Sequence, residues 1–518
     1  MANKFAYLYA APEVNPVSRK ARSVPFFNPI NVYGRVFFFS WFGFMIAFWA
    51  WYTFPPLLTH TIKTDLHLTS AEVANSNIVS LCATLLVRVV AGPLCDQFGP
   101  RKVFGGLLLV GSIPLGLAPL VQNITGLYVS RFFIGILGGS FVPCQVWSTG
   151  FFDKNVVGTA NALTGGFGNA GGGITYFIMP AVYDAFVASG RTSGQSWRLT
   201  FIIPLVMVLI TGTALLLLCE DTPTGKWEER HLHAQQNLHS HGVDDAIVDI
   251  PGGIADKARV SSSGTAPGDG MDIDIKAEDA KPPVILDHEA QISSTEMIQT
   301  VHGEIVTKPT LKEAVHVACS PQTIFHILTY MCSFGGELAI NSILASYYVK
   351  NFPSLGQTNA ANWAAMFGFL NFITRPLGGV VSDILYKYSN RSLWMKKAWI
   401  TTCGIITGAL LIIIGQLNPK SQGTMFGLVA VMAFFLEAGN GANFSLIPHV
   451  HPRANGILSG LTGAGGNLGG VIFAVIFRFM DSGTNYAKGF WVIGVINLAV
   501  YLGVSWIQPL PKGQIGGR

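Results

Sequence analysis

Residues 164–172 read Thr164-Gly165-Gly166-Phe167-Gly168-Asn169-Ala170-Gly171-Gly172, and residues 462–470 read Thr462-Gly463-Ala464-Gly465-Gly466-Asn467-Leu468-Gly469-Gly470. The pattern Thr-Gly-x-x-Gly-Asn-x-Gly-Gly thus occurs twice, each time inside an apolar stretch. A second pair of segments is related in the same way. Arg88-Val89-Val90-Ala91-Gly92-Pro93-Leu94-Cys95-Asp96 and Arg375-Pro376-Leu377-Gly378-Gly379-Val380-Val381-Ser382-Asp383 share Arg, Gly and Asp at identical spacing. Two motifs repeated in the same order are the mark of an internal duplication.

Working outward, apolar stretches of about 20 residues, long enough to cross a bilayer, recur near 36–58, 72–94, 102–122, 125–149, 157–182, 198–219, 323–349, 360–384, 395–416, 423–447, 455–478 and 488–508. The arginine motifs fall in the second and eighth of these spans and the glycine-asparagine motifs in the fifth and eleventh. The expected fold is an all-α membrane protein with twelve transmembrane helices in two pseudo-symmetric six-helix halves, its site between the halves near mid-membrane. The expected divisions are an amino-terminal segment 1–35, a first half 36–219, a linker 220–320, a second half 321–508 and a tail 509–518.

Composition agrees with this reading. Half of the 518 residues are hydrophobic and only 12% are charged, against roughly 25% charged in soluble proteins. Most of the 58 glycines lie within apolar stretches, where small residues let helices approach closely. The linker carries a net charge of −10 and the rest of the chain +15. The basic balance therefore belongs to membrane-flanking segments and is no nucleic-acid footprint. Lys4, Arg19, Lys20, Arg22 and Arg35 precede the first span, and Arg101, Lys102, Lys387, Lys396 and Lys397 fall on the same side. By the positive-inside rule both termini are expected in the cytoplasm. The linker, with its Ser261–Gly268 stretch, reads as largely disordered, cytoplasmic and open to regulatory partners. Its His231, His233, His239 and His241 lack the cysteine or carboxylate that would complete a metal site. The seven cysteines are odd in number and sit in or beside apolar runs, so no disulfide framework is expected. Neither a phosphate-cradling loop nor a nucleophile-base pair is apparent, which argues against an enzyme and against a cofactor.

The run Gly92-Pro93-Leu94-Cys95-Asp96-Gln97-Phe98-Gly99-Pro100-Arg101-Lys102 resembles the loop motif that follows the second helix of the major facilitator superfamily. The paired glycine-asparagine runs resemble those of its nitrate/nitrite porter family, as does Glu220-Asp221-Thr222-Pro223-Thr224-Gly225. The long central loop is similar to that of the fungal nitrate permeases. The resemblance covers all twelve spans. It implies the major facilitator fold, residence in the plasma membrane, nitrate and nitrite as substrates, and Arg88 and Arg375 as their ligands. It also implies Tyr330 as a site tyrosine and Phe48 and Phe141 as flanking aromatics.

Within the spans, away from their ends, five charged residues occur: Arg88, Arg131, Glu337, Arg375 and Glu437. Each costs on the order of 2.5–3.5 kcal/mol at mid-membrane, so each needs a partner or a task. Arginine suits a small planar oxyanion, because its guanidinium is flat, offers paired N–H donors and keeps its charge when desolvated. Two opposed guanidiniums repel until an anion lies between them, which supplies a reason for alternating access. The competing reading pairs Arg88 and Arg375 with Glu337 and Glu437 as structural bridges. Asn169 and Asn467 read either as substrate or gating residues or as interhelical bonds. Glu337 is the first candidate for proton coupling and Glu437 the second, with His326 behind them. The expected activity is proton-coupled import of nitrate and nitrite. The alternatives are another anion transporter of the superfamily, a nitrate/nitrite exchanger and a nitrate sensor with little flux. Asn123-Ile124-Thr125 is a sequon in a short outer loop.

Overall fold

A computed structural model describes residues 8–241, 289–292, 297, 300, 301, 311–480 and 485–511. Most of the linker, with its Ser261–Gly268 stretch, and the tail beyond residue 511 lie outside the described residues. Among those described, the long helices are α1 Val32–Trp51, α2 Ser70–Phe98, α3 Pro100–Leu117, α4 Ile124–Phe151, α5 Val157–Ala188 and α6 Ser193–Leu218. The second half supplies α7 Pro321–Asn351, α8 Gly356–Tyr388, α9 Leu393–Leu417, α10 Gln422–Val450, α11 Asn455–Phe479 and α12 Tyr486–Gly503.

Eleven of these segments are apolar enough to cross a membrane by length and composition. The remaining one, α5, is a helix of 32 residues whose glycines, threonines and asparagines dilute its hydropathy. Its side chains are buried through Ala160, Ala162, Thr164 and Asn169, as befits a helix that faces protein more than lipid. Lipid-facing positions carry large apolar side chains instead, such as Leu86, Val90, Leu217, Ile373 and Phe479. Several helices outrun their apolar windows, α8 by about a turn at each end, because the backbone continues helical into the polar boundary.

Local signals set the helix starts. Asn31 accepts from the Tyr33 amide, Thr69 and Glu72 form a capping box, and Ser320 accepts from the Thr323 amide. Asn123 of the sequon also caps α4, its Oδ1 accepting from the Gly126 amide at 2.8 Å. Gly99, at φ +88°, turns α2 into α3, and the linker residue Trp227 packs over it while donating to the Asp96 carbonyl at 3.0 Å.

The two arginine motifs end in reciprocal clasps between the halves, on the face where α1 begins and the linker departs, here the terminal face. Asp96 at the end of α2 accepts from the Gly456 and Ile457 amides at the start of α11, at 2.8 and 2.9 Å. Asp383 at the end of α8 accepts from the Thr159 amide and hydroxyl at the start of α5, at 2.6 and 2.8 Å. Each carboxylate thereby satisfies amide donors that an α-helix start leaves open, with the helix dipole in its favour. Gly92 meets Gly456, and Gly379 meets Gly158, so closely that a Cβ would overlap backbone. The bundle is shut on this side. On the opposite face a cavity of about 120 Å³ opens between the halves.

The linker residues that are described lie on the terminal face. Helix Arg230–Ser240 buries Ala234 and Leu238 with Val17 and Val301. Glu289 meets Arg19 at 2.5 Å and His241 at 3.2 Å.

Candidate functional site between the halves

Arg88 and Arg375 are 0% and 1% exposed. Each reaches the interface from the middle of its helix. Arg88 Nε donates to the Gly138 carbonyl and Nη1 to the Gly463 carbonyl, both at 3.0 Å. The first acceptor lies in a 3₁₀ segment, Gly135–Ser140, that interrupts α4. Such a tightened turn shifts the α-helical bonding pattern and can leave a carbonyl for a side chain; Gly135 likewise accepts from the Thr84 hydroxyl at 2.9 Å. Arg375 Nη2 donates to the Tyr330 hydroxyl at 2.7 Å.

The same aromatic rings receive both guanidiniums. The Arg88 carbon lies 4.9 Å from the Phe141 centroid and 5.4 Å from that of Phe334, and the Arg375 carbon 5.5 and 5.7 Å. Phe141 faces Phe334 and Tyr330 with near-parallel rings, 6.5 and 6.2 Å between centroids. Phe444 closes the group edge-on, 4.8 Å from Phe141. Cation–π contact and the exclusion of water both favour such guanidiniums. One donor of each remains open: Arg88 Nη2 and Arg375 Nη1 are buried without a protein partner.

Neither arginine forms an ion pair among the described residues, so the reading of Arg88 and Arg375 as bridges to Glu337 and Glu437 does not match the geometry. Glu337 instead accepts from two amides, Asn371 Nδ2 and, at 2.7 Å, Asn440 Nδ2. Glu437 accepts from the Thr374 hydroxyl. Asn371, Thr374 and Arg375 stand three and four residues apart on α8 and so share a face. That face links the two acids to the arginine, and Glu337 lies within electrostatic reach of Arg375, as Glu437 does of Glu337.

The two asparagines differ. Asn467 Nδ2 donates to the Gly463 carbonyl at 3.1 Å and its Oδ1 has no partner, whereas both polar atoms of Asn169 are buried and unpartnered. Phe48 is one layer removed, packing on Phe44, Trp51 and Tyr52, with Phe44 in turn against Phe141. His326 shares its Nδ1 with Asn443 Oδ1 at 2.6 Å, farther along α7 toward the terminal face. Reading the sequence missed Phe334, Asn371, Thr374 and Asn440. Phe334 had a signal, since it follows Tyr330 by four residues on one helix.

Comparison with known proteins agrees with the architecture. The profile of the Major Facilitator Superfamily matches residues 40–474. The chain belongs to the major facilitator superfamily. Among superfamily relatives, "Elsinochrome transporter 1" of Elsinoe fawcettii is 34% identical over 98% of this chain and 99% of its own. "High affinity nitrate transporter 2.5" of Arabidopsis thaliana is 29% identical over 94% of this chain and 82% of its own, and "Nitrate/nitrite transporter NrtP" of Nostoc punctiforme 27% over 93% of both. The resemblance to nitrate/nitrite porters seen in the sequence is thus borne out by relatives along most of the chain. The superfamily fold itself is shared with the E. coli fucose:proton symporter FucP, at a TM-score of 0.57, 14% identity and coverage of 90% of this chain and 98% of that one. These relatives are transporters and not enzymes.

Proposed function

We propose that the protein imports nitrate, and nitrite, across the plasma membrane together with protons, with both termini in the cytoplasm. One observation carries the reading: two buried arginines from opposite halves converge on one aromatic group, without carboxylate partners among the described residues and with one donor each still open. A planar oxyanion meets those donors with two of its edges, and the facing rings keep water away. Asn169 and Asn467, one from each glycine run, bring further unpartnered amide atoms from the two halves. Tyr330 positions Arg375. The anion relieves the repulsion between the guanidiniums, and this favours closure of the halves around it. The clasps of Asp96 and Asp383 hold the terminal face shut while the opposite face admits the anion. Inward release then requires those clasps to part. Arginine cannot serve as the proton carrier at physiological pH, so the proton falls to a carboxylate, Glu337 first and Glu437 second.

Likeness to "Elsinochrome transporter 1", 34% identical along 98% of this chain, supports a second reading, movement of an organic product of that kind. The test is uptake of labelled nitrate by proteoliposomes with and without a pH gradient. Saturable uptake stimulated by an inward proton gradient is expected. Arg88→Lys and Arg375→Lys are each expected to raise KM by about tenfold or more, since lysine keeps charge but loses the paired donors. No saturable nitrate uptake would remove the reading, and elsinochrome movement without nitrate uptake would establish the second. Nitrate/nitrite exchange insensitive to the gradient would remove the proton alone.

A further inference from the structure

Arg131 is the one mid-span cation that the two-arginine site does not use. It is 4% exposed, in α4, on the side of the bundle opposite the terminal face. Two other arginines near helix ends have carboxylates: Arg101 pairs with Asp221 at 2.6 Å and Arg198 with Asp65 at 2.9 Å. Arg131 has no ion pair among the described residues. Its Nη1 donates to the neutral Ser76 Oγ at 2.9 Å and Asn77 Oδ1 at 2.6 Å, and its guanidinium lies 5.9 Å from the Phe54 ring centroid. These contacts fix the guanidinium without neutralising it.

The fixed charge lines the cavity of about 120 Å³ on the open side, several times the space one water needs. Trp51, Tyr52 and Asn77 line it from the first half, Asn341 and Ser342 from the second. A buried cation held by neutral groups, in a chamber with amide and hydroxyl groups around it, is a chamber for a small anion. Tyr52 also lies within electrostatic reach of Arg131, Arg88 and Glu337. Leu338, beside Glu337, lines the same cavity. The chamber is joined to the two-arginine site through a run of packed rings, Tyr52 on Phe48, Phe48 on Phe44 and Phe44 on Phe141.

We propose that Arg131 and its cavity form a second anion site, which receives the transported anion from the open face before it passes to Arg88 and Arg375. The inference rests on the reading of the protein as an anion transporter, and two sites in series explain why an uncompensated cation is placed outside the central pair. Occupation of the outer site concentrates the anion at the mouth of the central one, and partial neutralisation of Arg131 lowers the repulsion an arriving proton would meet near Glu337.

The test uses the purified full chain, its thermal-unfolding midpoint read against sodium nitrate with gluconate keeping ionic strength constant. In the Arg88→Lys/Arg375→Lys background nitrate is still expected to raise the midpoint. Adding Arg131→Gln should shift the nitrate concentration required by about tenfold or abolish the response, with Arg131→Lys intermediate. In uptake, Arg131→Gln alone should raise KM by about tenfold. A wild-type response that disappears entirely in the double-lysine background overturns the outer site and leaves the central reading standing. A response indifferent to Arg88→Lys/Arg375→Lys but lost with Arg131→Gln supports the outer site and removes the central reading. If Arg131→Gln unfolds, a nitrate response of Arg131→Lys equal to that of its parent overturns the proposal.

Discussion

Arg88 in the first half donates through Nη1 to the carbonyl of Gly463 in the second, at 3.0 Å, and a Cβ on that glycine would stand 3.2 Å from Arg88 Cδ. The counterpart is Gly165, where a Cβ would stand 3.0 Å from Arg375 Nε. The duplicated glycine runs thus cross over: the second residue of each lies against the arginine of the other half. Gly171 and Gly469 serve differently, since a Cβ there would overlap the carbonyls of Met45 and Met331.

Gly165→Ala and Gly463→Ala should therefore act on the arginines more than on the fold. Each must displace a guanidinium or its stem by a few tenths of an ångström, and KM for nitrate should rise by about tenfold while the unfolding midpoint changes little. Gly171→Ala and Gly469→Ala push on backbone and should cost about 1–3 kcal/mol of stability. Uptake kinetics and thermal unfolding of the four variants separate the two roles. Unchanged KM in both Gly165→Ala and Gly463→Ala would detach these glycines from the site.

Much of this arrangement is visible in the chain itself, for a definite reason. A charge in an apolar span is rare because it is expensive, so Arg88 and Arg375 stand out, and the duplication says that they are related. The glycine runs show themselves by the same duplication, whereas Tyr330 follows from resemblance. Asn371, Thr374 and Asn440 are silent in the sequence, because a neutral polar residue in a helix is cheap enough to occur without a task. Arg131 is legible as a charge, but its Ser76 and Asn77 partners lie on another helix whose rotation the sequence does not specify. Helix α5 shows the converse: its glycines mark a close packing face and, by the same token, weaken its signal as a membrane span.

The two clasps are alike in form and unequal in strength. Asp96 accepts from two amides and forms no ion pair among the described residues. Asp383 also meets Lys396 Nζ at 2.7 Å, and that lysine is 0% exposed. Asp96→Asn should cost about 1–3 kcal/mol, the worth of a buried hydrogen bond turned into a donor–donor contact. Asp383→Asn leaves Lys396 buried without its counter-charge and should cost about 3–5 kcal/mol. Asp383→Asn/Lys396→Met should recover part of that loss. Equal midpoints for Asp96→Asn and Asp383→Asn would show that Lys396 does not depend on this pair.

At the corner between α10 and α11, His451 shares a hydrogen bond with Ser320, the cap of α7, at 3.0 Å between Nε2 and Oγ. Burial, and then the nearby His316, hold the His451 imidazole below the usual histidine value of 6.5. The folded state therefore binds less proton than the unfolded chain over the interval beneath that value, and stability falls as pH drops through it. The unfolding midpoint should decline from about pH 7 to about pH 5, and His451→Gln should flatten that decline while keeping a polar partner for Ser320. An identical pH profile in His451→Gln would assign the decline to other groups.

Glu337 gives the sharpest separation of coupling from binding. Both its oxygens accept amide donors, from Asn371 and Asn440, and the Oδ1 atoms of those two asparagines are buried without partners. A glutamine at 337 turns one acceptor into a donor, and a flip of one neighbouring amide meets it with an oxygen that is otherwise idle. Glu337→Gln should therefore fold and keep the two-arginine site while losing the one carboxylate held by those two amides. Nitrate exchange across the membrane should persist in the variant, and accumulation driven by a pH gradient should fall to the level without a gradient. Accumulation that survives Glu337→Gln but is lost in Glu437→Gln would move the proton to the carboxylate held by Thr374. Survival in both would take the proton out of this network and leave the amide cage around Glu337 as a purely structural device.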